Sequence, residues 1–458
     1  MPEFRVERDT MGEMNVPVDA LYGAQTQRAV ENFPISGLRL PRAFIRALGL
    51  IKECAAEING RLGYLKPELA AAIQSAAAEV AEGRHDNQFV VDVFQTGSGT
   101  STNMNANEVI GHLAGAHPND HVNQGQSSND VFPAAMHVSA AEVVSSVLLP
   151  AMHALHTTLD ARSSEFHDVL KIGRTHLQDA VPMRLGQEFS GYSAQVQYSI
   201  DRISDALGGM WELPLGGTAI GTGLNALPGF APAVIERICE KTTLPFREAR
   251  NHFEAQASKD AIVFLSGALR SYAVSLTKIA NDIRWLGSGP RCGLSELKIP
   301  PVQPGSSIMP GKVNPVIAES VLMVCAQVIG YDTTIAWCGA AGNFELNVMM
   351  PVMAYDLIQS IELLAAATRN FDLRLVQGLE ADRPHAASLV EQSLAMVTVL
   401  APVIGYDQAA AISKLAYASG RTIREVALEQ SGLPVDRLEE LLDPATQAGE
   451  TELPGHNE

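Results

Sequence analysis

The sequence predicts a mainly α protein in which long helices pack on one another, on three observations. Hydrophobic residues make up 46% of the 458-residue chain but aromatic ones only 6%. The core must therefore be filled by Ala, Leu, Val and Ile, which suits helix-on-helix packing. From Ile262 the apolar positions run Ile262, Leu265, Leu269, Tyr272, Leu276, Ile279, Ile283 and Leu286, the alternating three-four spacing of a coiled-coil-like seam. Strand signals are weak everywhere, so few strands are expected.

The chain divides into three segments, 1–128, 129–382 and 383–458. In the first, 42–58 reads as a helix. A second helix begins at Pro67, carries Leu69, Ile73, Ala76 and Val80 on one face and ends by Gly83; proline suits a first helical turn and glycine a stop. Gly, Asn, Asp and Ser then cluster from Thr96 to Asp130, which reads as loops joining short helices. The middle segment holds the long helices: 138–160, with a kink expected at Pro150, a stripe of Val196, Ile200, Ile203 and Leu207, the Ile262–Leu286 seam, and 316–338. An up-and-down bundle accommodates them most simply. Helices this long bury little surface alone, so packing against other subunits is expected. After Asp382-Arg383-Pro384 come shorter helices such as Ile423–Gln430, then a polar tail from Pro444 that is expected to fray.

A formal charge of −18 argues against nucleic acid as a partner, because phosphate contacts need clustered Lys and Arg. Cys54, Cys239, Cys292, Cys325 and Cys338 lie far apart with no CxxC pair, which predicts reduced thiols rather than disulfides, zinc or an iron–sulfur cluster. The start, Met1-Pro2-Glu3-Phe4-Arg5, lacks the apolar stretch of a signal peptide, and the longest uncharged apolar segment, 394–406, is too short to span a bilayer. The expectation is a cytoplasmic protein with no membrane contact.

Four polar, glycine-bearing segments interrupt the helical pattern. Gly305-Ser306-Ser307-Ile308-Met309-Pro310-Gly311-Lys312-Val313-Asn314-Pro315 is the most informative. Its glycines free the backbone, its prolines stiffen it, and Lys312 is its only charge. A Gly/Pro-rich surface connection would explain Gly and Pro, but not Ser-Ser, Lys and Asn without an acid in so acidic a chain; a carboxylate cradle explains them all. Glu319 follows on the next helix, where a carboxylate either orients a histidine or decorates a first turn. Thr96-Gly97-Ser98-Gly99-Thr100-Ser101-Thr102-Asn103 is dense in hydroxyls and fits an anion-binding helix start or an ordinary N-cap equally well. Gln126-Ser127-Ser128-Asn129-Asp130 offers uncharged donors before a helix, preceded by His117-Pro118-Asn119-Asp120-His121, whose histidines lack an evident third metal ligand. In Gly173-Arg174-Thr175-His176-Leu177-Gln178-Asp179, His176 is a candidate acid/base. Together these segments point to a composite site for a dicarboxylate. No GxxxxGK[ST] loop is present, and the glycine-rich Gly216–Gly223 stretch follows no credible strand, which disfavours a nucleotide or dinucleotide.

At these residues the chain resembles the fumarase/aspartase superfamily, whose signature loop matches Gly305 to Asn314. The resemblance runs from Asp9-Thr10-Met11-Gly12 and Leu21–Gln27 to Ile404-Gly405-Tyr406-Asp407. Within that superfamily it is most similar to class II fumarases, through His117-Pro118-Asn119-Asp120, Gly173-Arg174-Thr175-His176, Leu215–Asn225 and Gly342–Val348. Aspartate ammonia-lyases typically carry glutamine at the position of His176, whereas His121 is more aspartase-like. The segment between Glu108 and His117 is short and has no lysine or arginine.

The resemblance implies a three-domain, mainly α fold whose central long helices form a 20-helix core in a homotetramer with 222 symmetry, each active site drawing segments from three subunits. It implies reversible hydration of fumarate to L-malate in the tricarboxylic acid cycle, without metal or organic cofactor; aspartate ammonia-lyase activity is the alternative. It implies that Ser306 is the base and that His176, paired with Glu319, moves the proton of the water or hydroxyl. Ser98, Gly99, Thr100, Ser127, Ser128, Asn129, Thr175, Ser307, Lys312, Val313 and Asn314 would bind substrate. His117, Pro118, Asn119 and Asp120 would form a second, peripheral dicarboxylate site.

Overall fold

The computed structural model describes residues 3–449. It is 63% helix and 8% strand, and its contacts divide it into two compact units, each gathered from three stretches. One takes the chain up to Pro150, Asp201–Ala273 and Val324–Ala366; the other takes Ala151–Ile200, Val274–Met323 and the chain from Ala367.

The first unit shows how a core is built with few aromatics. The Arg42–Arg61 and Pro67–Ala81 helices meet through small residues. At Gly49 the two backbones nearly touch: a Cβ there would lie 2.7 Å from the Ala81 nitrogen and 3.0 Å from the Ala77 carbonyl oxygen. Close approach lets Ala side chains make many short contacts that larger residues would prevent.

The segment from Thr96 to Asp130 departs from the expectation of short helices. Thr100–Ala114 is one 15-residue helix, and every residue from Thr102 to Gly111 is buried. Its polar side chains are spent inward. Asn105 donates to the Gln88 carbonyl and accepts from the Val90 N–H. The Glu108 carboxylate takes the N–H groups of Gly23, Gln25 and Thr26 and the Thr26 hydroxyl. A helix buried by its polar residues has no apolar stripe to betray it.

The next helical run is longer than expected, spanning 38 residues from Ser128 to Glu165. Its irregularity is a π turn at Val144–Leu148, just before Pro150, whose ring would otherwise meet the carbonyl of Ser146. The predicted seam on Asp260–Leu286 is present: from Ile262 to Leu286 its eight positions are at most 4% exposed. By length and composition alone, Ser128–Glu165, Asp260–Leu286 and Val316–Gly339 are long and apolar enough to cross a membrane, although each carries charged residues within its span. Away from the seam they expose Phe264, Trp285, Met323 and Trp337.

In the second unit, Leu170–Thr175 and Gln178–Arg184 form an antiparallel hairpin. Ile172 of its first strand joins a core with Val390, Met396, Leu400, Ile412, Ile423, Val426 and Leu438, so the small C-terminal helices back the hairpin. Five two-stranded pairs occur among the described residues, three of them only two residues long. The tail does not fray from Pro444: Asp443 caps a Pro444–Gln447 turn, and Gln187 donates to the Ala448 carbonyl at 3.0 Å. Its residues 450–458 lie outside the described ones.

Gly49→Ala should lose about 1–3 kcal/mol of unfolding free energy, because collision with the Ala81 backbone outweighs the ~1 kcal/mol helix-propensity gain. Denaturant unfolding checks this; an unchanged or raised midpoint would contradict it.

Candidate active site

In the first unit, two of the polar segments become adjacent helix starts. Gly99 precedes the Thr100–Ala114 helix at φ 75° and supplies no side-chain cap, while Gln95 Oε1 accepts the Thr102 N–H at 2.9 Å. Its backbone lies against Phe132 of the following helix, where a Cβ would be 2.0 Å from the ring. Gly97 is equally constrained: a Cβ would lie 1.6 Å from the Val348 carbonyl oxygen, while the Gly97 carbonyl accepts the Met350 N–H. Ser98 and Thr100 share a hydroxyl–hydroxyl hydrogen bond of 2.7 Å. A helix N-terminus with hydroxyls beside it suits an anion.

The second helix starts at Ser127 with a capping box. Ser127 Oγ accepts the Asn129 N–H, and Asp130 accepts the Ser127 N–H at 2.9 Å. This uses the oxygen of Ser127 and leaves its hydroxyl hydrogen free to donate. Asp130 is fully buried, and its other oxygen takes the N–H groups of Gly216 and Thr218, both at 3.0 Å. Burial raises its pKa, opposed by those N–H groups and by Lys52. Asn129 donates to the Ala219 carbonyl. The glycine-rich 216–223 stretch is therefore tied to the start of this helix. Ser128 Oγ accepts from Asn103 of the neighbouring helix at 3.0 Å.

Behind this pair lies Lys52, buried completely, donating to Asn123 Oδ1 at 2.9 Å. Asn103 and Asn107 donate to the same oxygen. Burial pulls the ammonium pKa down to about 7. Sequence reasoning missed this residue, although Lys52 follows Leu48 by four positions on the apolar face of its helix.

In the second unit, His176 and Leu177 form the two-residue tip of the hairpin, with φ 57° and 59°. Two positive φ angles match the type I′ turn that suits hairpin twist, a position usually taken by Asn-Gly or Asp-Gly. Thr175 and His176 are exposed.

The 305–315 loop is closed on itself. Gly305 N–H donates to the Lys312 carbonyl at 2.7 Å, and the Asn314 side-chain amide donates to the Gly305 carbonyl at 2.6 Å. Inside the ring, Ser306 Oγ accepts the N–H groups of Ile308 and Met309, at 3.2 and 3.1 Å. Ser307, Val313 and Lys312 face outward, and Lys312 has no ion pair among the described residues. A cleft of about 270 Å³ runs along Gly311–Pro315 and past Ser295 and Lys298. Glu319 is exposed on the next helix and makes no hydrogen bond to His176 within the chain, so the expected pairing is not formed there.

His117 and Asp120 form their own turn: His117 Nδ1 accepts the Asp120 N–H at 3.0 Å, and the His117 N–H donates to His121 Nδ1. With Pro118 and Asn119, His117 borders a cleft of about 790 Å³. Arg5 and Arg8 of the N-terminal hairpin also line it, so basic residues enter from a part of the chain far from 108–117. Among the described residues no group of three or more His, Cys, Asp or Glu could hold a metal.

The mainly helical fold and the 305–315 loop are those of a lyase of the fumarase/aspartase kind. Family models agree: a "Lyase" model matches residues 12–330 and a "Fumarase C C-terminus" model residues 396–446. The class II fumarate hydratase of Mycobacterium tuberculosis is 55% identical over 441 residues, covering 95% of this chain and 93% of that one. That of Methylorubrum extorquens is 51% identical over 456 residues, covering 97% of each. Among solved structures, a Schistosoma mansoni class II fumarase has a TM-score of 0.95 at 41% identity, covering 98% of this chain and 99% of that one. A Brucella melitensis fumarate lyase:delta crystallin, bound to cobalt, has 0.92 at 44%, covering 97% and 100%. The chain belongs to the class II fumarase family.

The buried Lys52 ammonium makes a testable contribution. Folded, it holds its proton less tightly than the unfolded lysine, which titrates near 10.5. Its cost is full below about pH 7 and fades as pH rises toward 10. Lys52→Met should flatten the rise of unfolding free energy across that range; a slope equal to the wild type's would count against it.

Proposed function

We propose that the protein is a fumarate hydratase, interconverting fumarate and L-malate in the tricarboxylic acid cycle. The observation that carries this reading is the Ser306 hydroxyl, held by the Ile308 and Met309 N–H groups, in a chain 55% identical across most of its length to a class II fumarate hydratase.

Removing the C3 proton of malate is difficult because that carbon is weakly acidic. The two N–H groups stabilise negative charge on Ser306 Oγ, lowering the cost of its alkoxide, and the nearby Lys312 ammonium adds to the field. Ser306 takes the C3 proton. The electrons move into the adjacent carboxylate to give a dianionic aci-form, and Lys312 offers the charge that meets it. Asn314, Ser307 and Val313 shape the loop around that carboxylate. His176, oriented by Glu319 and acting through a water, protonates the departing hydroxyl; in hydration it takes the water's proton instead. Thr175, Ser98, Gly99, Thr100, Ser127, Ser128 and Asn129 supply neutral donors that orient the dicarboxylate. These hydroxyls, amides and backbone N–H groups suit an anion rather than a metal ion, and the proposed reaction uses no metal or organic cofactor. His117, Pro118, Asn119 and Asp120, beside Arg5 and Arg8, form a second dicarboxylate site in this reading.

The assembly is a homotetramer in the cytoplasm. The apolar surfaces of the long helices, with Phe264, Trp285, Met323 and Trp337 exposed in a single chain, support burial against other copies. Sites drawing segments from three subunits would give His176 and Glu319 partners that one chain does not supply. Cysteines free of disulfides, three of them buried, support a reducing compartment.

Incubation with L-malate and, separately, with L-aspartate, followed by fumarate's ultraviolet absorbance, tests the activity. Malate should yield fumarate; fumarate from aspartate alone would replace the proposal with an ammonia-lyase. Ser306→Ala and His176→Asn should each lower kcat at least ~100-fold while the assembly persists. Near wild-type turnover in both would remove those assignments.

A further inference from the structure

Arg174 immediately precedes Thr175 and His176, and its guanidinium is drawn inward rather than toward solvent. It donates to Glu296 Oε2 at 2.6 Å, with the glutamate fully buried and the arginine side chain 15% exposed. Lys171, three residues earlier on the same strand, is 2% exposed and sits 3.9 Å from the same oxygen and 3.0 Å from Glu188. One short strand therefore sends two cations into the interior, where two carboxylates meet them.

This arrangement is costly for stability alone. A buried ion pair forfeits hydration of both charges, and well-packed apolar residues often serve at least as well. Here Glu296 Oε1 has no hydrogen-bond partner. What the cluster supplies is direction: a short charge-assisted hydrogen bond from Arg174 to one oxygen of a buried carboxylate restricts the strand more tightly than apolar contact. The β-bulge between Ile172 and Arg174 lies in the same strand, so register there is not set by the ladder alone. The tip beyond it has two non-glycine residues at positive φ, which cost about 1–2 kcal/mol each and persist only when surrounding structure imposes them.

We infer that Glu296 is a positioning residue, which fixes the Thr175-His176 tip through Arg174 and so sets where the imidazole meets the reacting water. Glu296 also precedes Leu297–Lys298, the strand that leads toward the 305–315 loop, and its carbonyl accepts the Asp382 N–H at 2.9 Å. The Glu296 main chain is thus anchored through its own carbonyl and by the Leu297–Ala381 pair that follows. The inference rests on the role proposed for His176.

Two variants and two readouts test it. Glu296→Gln removes the charge; Arg174→Lys keeps a cation, removes the planar guanidinium and serves if the first variant does not fold. Hydrogen exchange of the peptide spanning 170–184, followed by mass spectrometry, should speed up at the tip in either variant. On whichever substrate the wild type turns over, kcat should fall about 10- to 100-fold with KM within about threefold, as expected for a misplaced catalytic group. Unchanged exchange in a folded variant overturns the inference, and so does faster exchange with wild-type kcat. If the wild type turns over neither malate nor aspartate, the proposed activity fails instead, and tip exchange alone decides whether Glu296 positions it.

Discussion

A carboxylate taken out of water must be given donors in return, and this protein uses that demand to attach its loops to its helices. Glu108, projecting from a helix, collects three backbone N–H groups and a hydroxyl from 23–26. Asp130 binds the Ser127 N–H with one oxygen and those of Gly216 and Thr218 with the other. Glu296 gathers Arg174 and Lys171. A helical frame has no sheet edge along which loops can be paired, so each irregular segment needs its own anchor. An aspartate or glutamate can satisfy several N–H groups at once, more than an amide or hydroxyl oxygen can.

The same demand explains why some of the structure could be read from sequence and some could not. Apolar periodicity is local, so the Asp260–Leu286 seam was legible residue by residue, as were the Arg42–Arg61 and Pro67–Ala81 helices and the stop before Gly83. The Thr100–Ala114 helix was not, because Asn103, Asn105, Asn107 and Glu108 are buried by partners far away in sequence. The 170–184 hairpin escaped for a related reason: its buried face includes Lys171, which no alternation of apolar and polar residues would place inside. In the candidate site, the chemical character of the Ser306 loop was legible from composition, while its closure was not. That closure depends on Asn314 reaching back nine residues to Gly305, a contact made by conformation rather than spacing.

Small residues impose the complementary constraint. Gly49 brings two helix backbones together, Gly97 brings the Ser98–Thr100 turn against Val348, and Gly99 brings that turn against Phe132. At each point a methyl group would occupy space already filled by backbone or ring. The Ser98 and Thr100 hydroxyls therefore owe their placement to what is missing beside them, and the freedom of a helix-start hydroxyl to donate follows from how its oxygen is already used. Ser127 illustrates this, since its oxygen caps the helix and its hydrogen is left over.

The Ser306 loop and the His176 tip solve opposite problems. A serine hydroxyl is a poor base unless its oxygen is surrounded by donors; in the proposed reaction those of Ser306 are the Ile308 and Met309 N–H groups of its own loop, within the ring that Gly305, Lys312 and Asn314 close. What the His176 imidazole needs in the proposed reaction, at the end of a two-residue turn, is a fixed position. Within one chain it comes from below, through Ile172 packed on the C-terminal helices and Arg174 bound to Glu296. The reactivity of one group is thus determined within a few residues, whereas the placement of the other depends on packing that spans more than two hundred residues of chain, from Ile172 to Leu442. Substitutions remote from the chemistry should consequently act through His176 more readily than through Ser306.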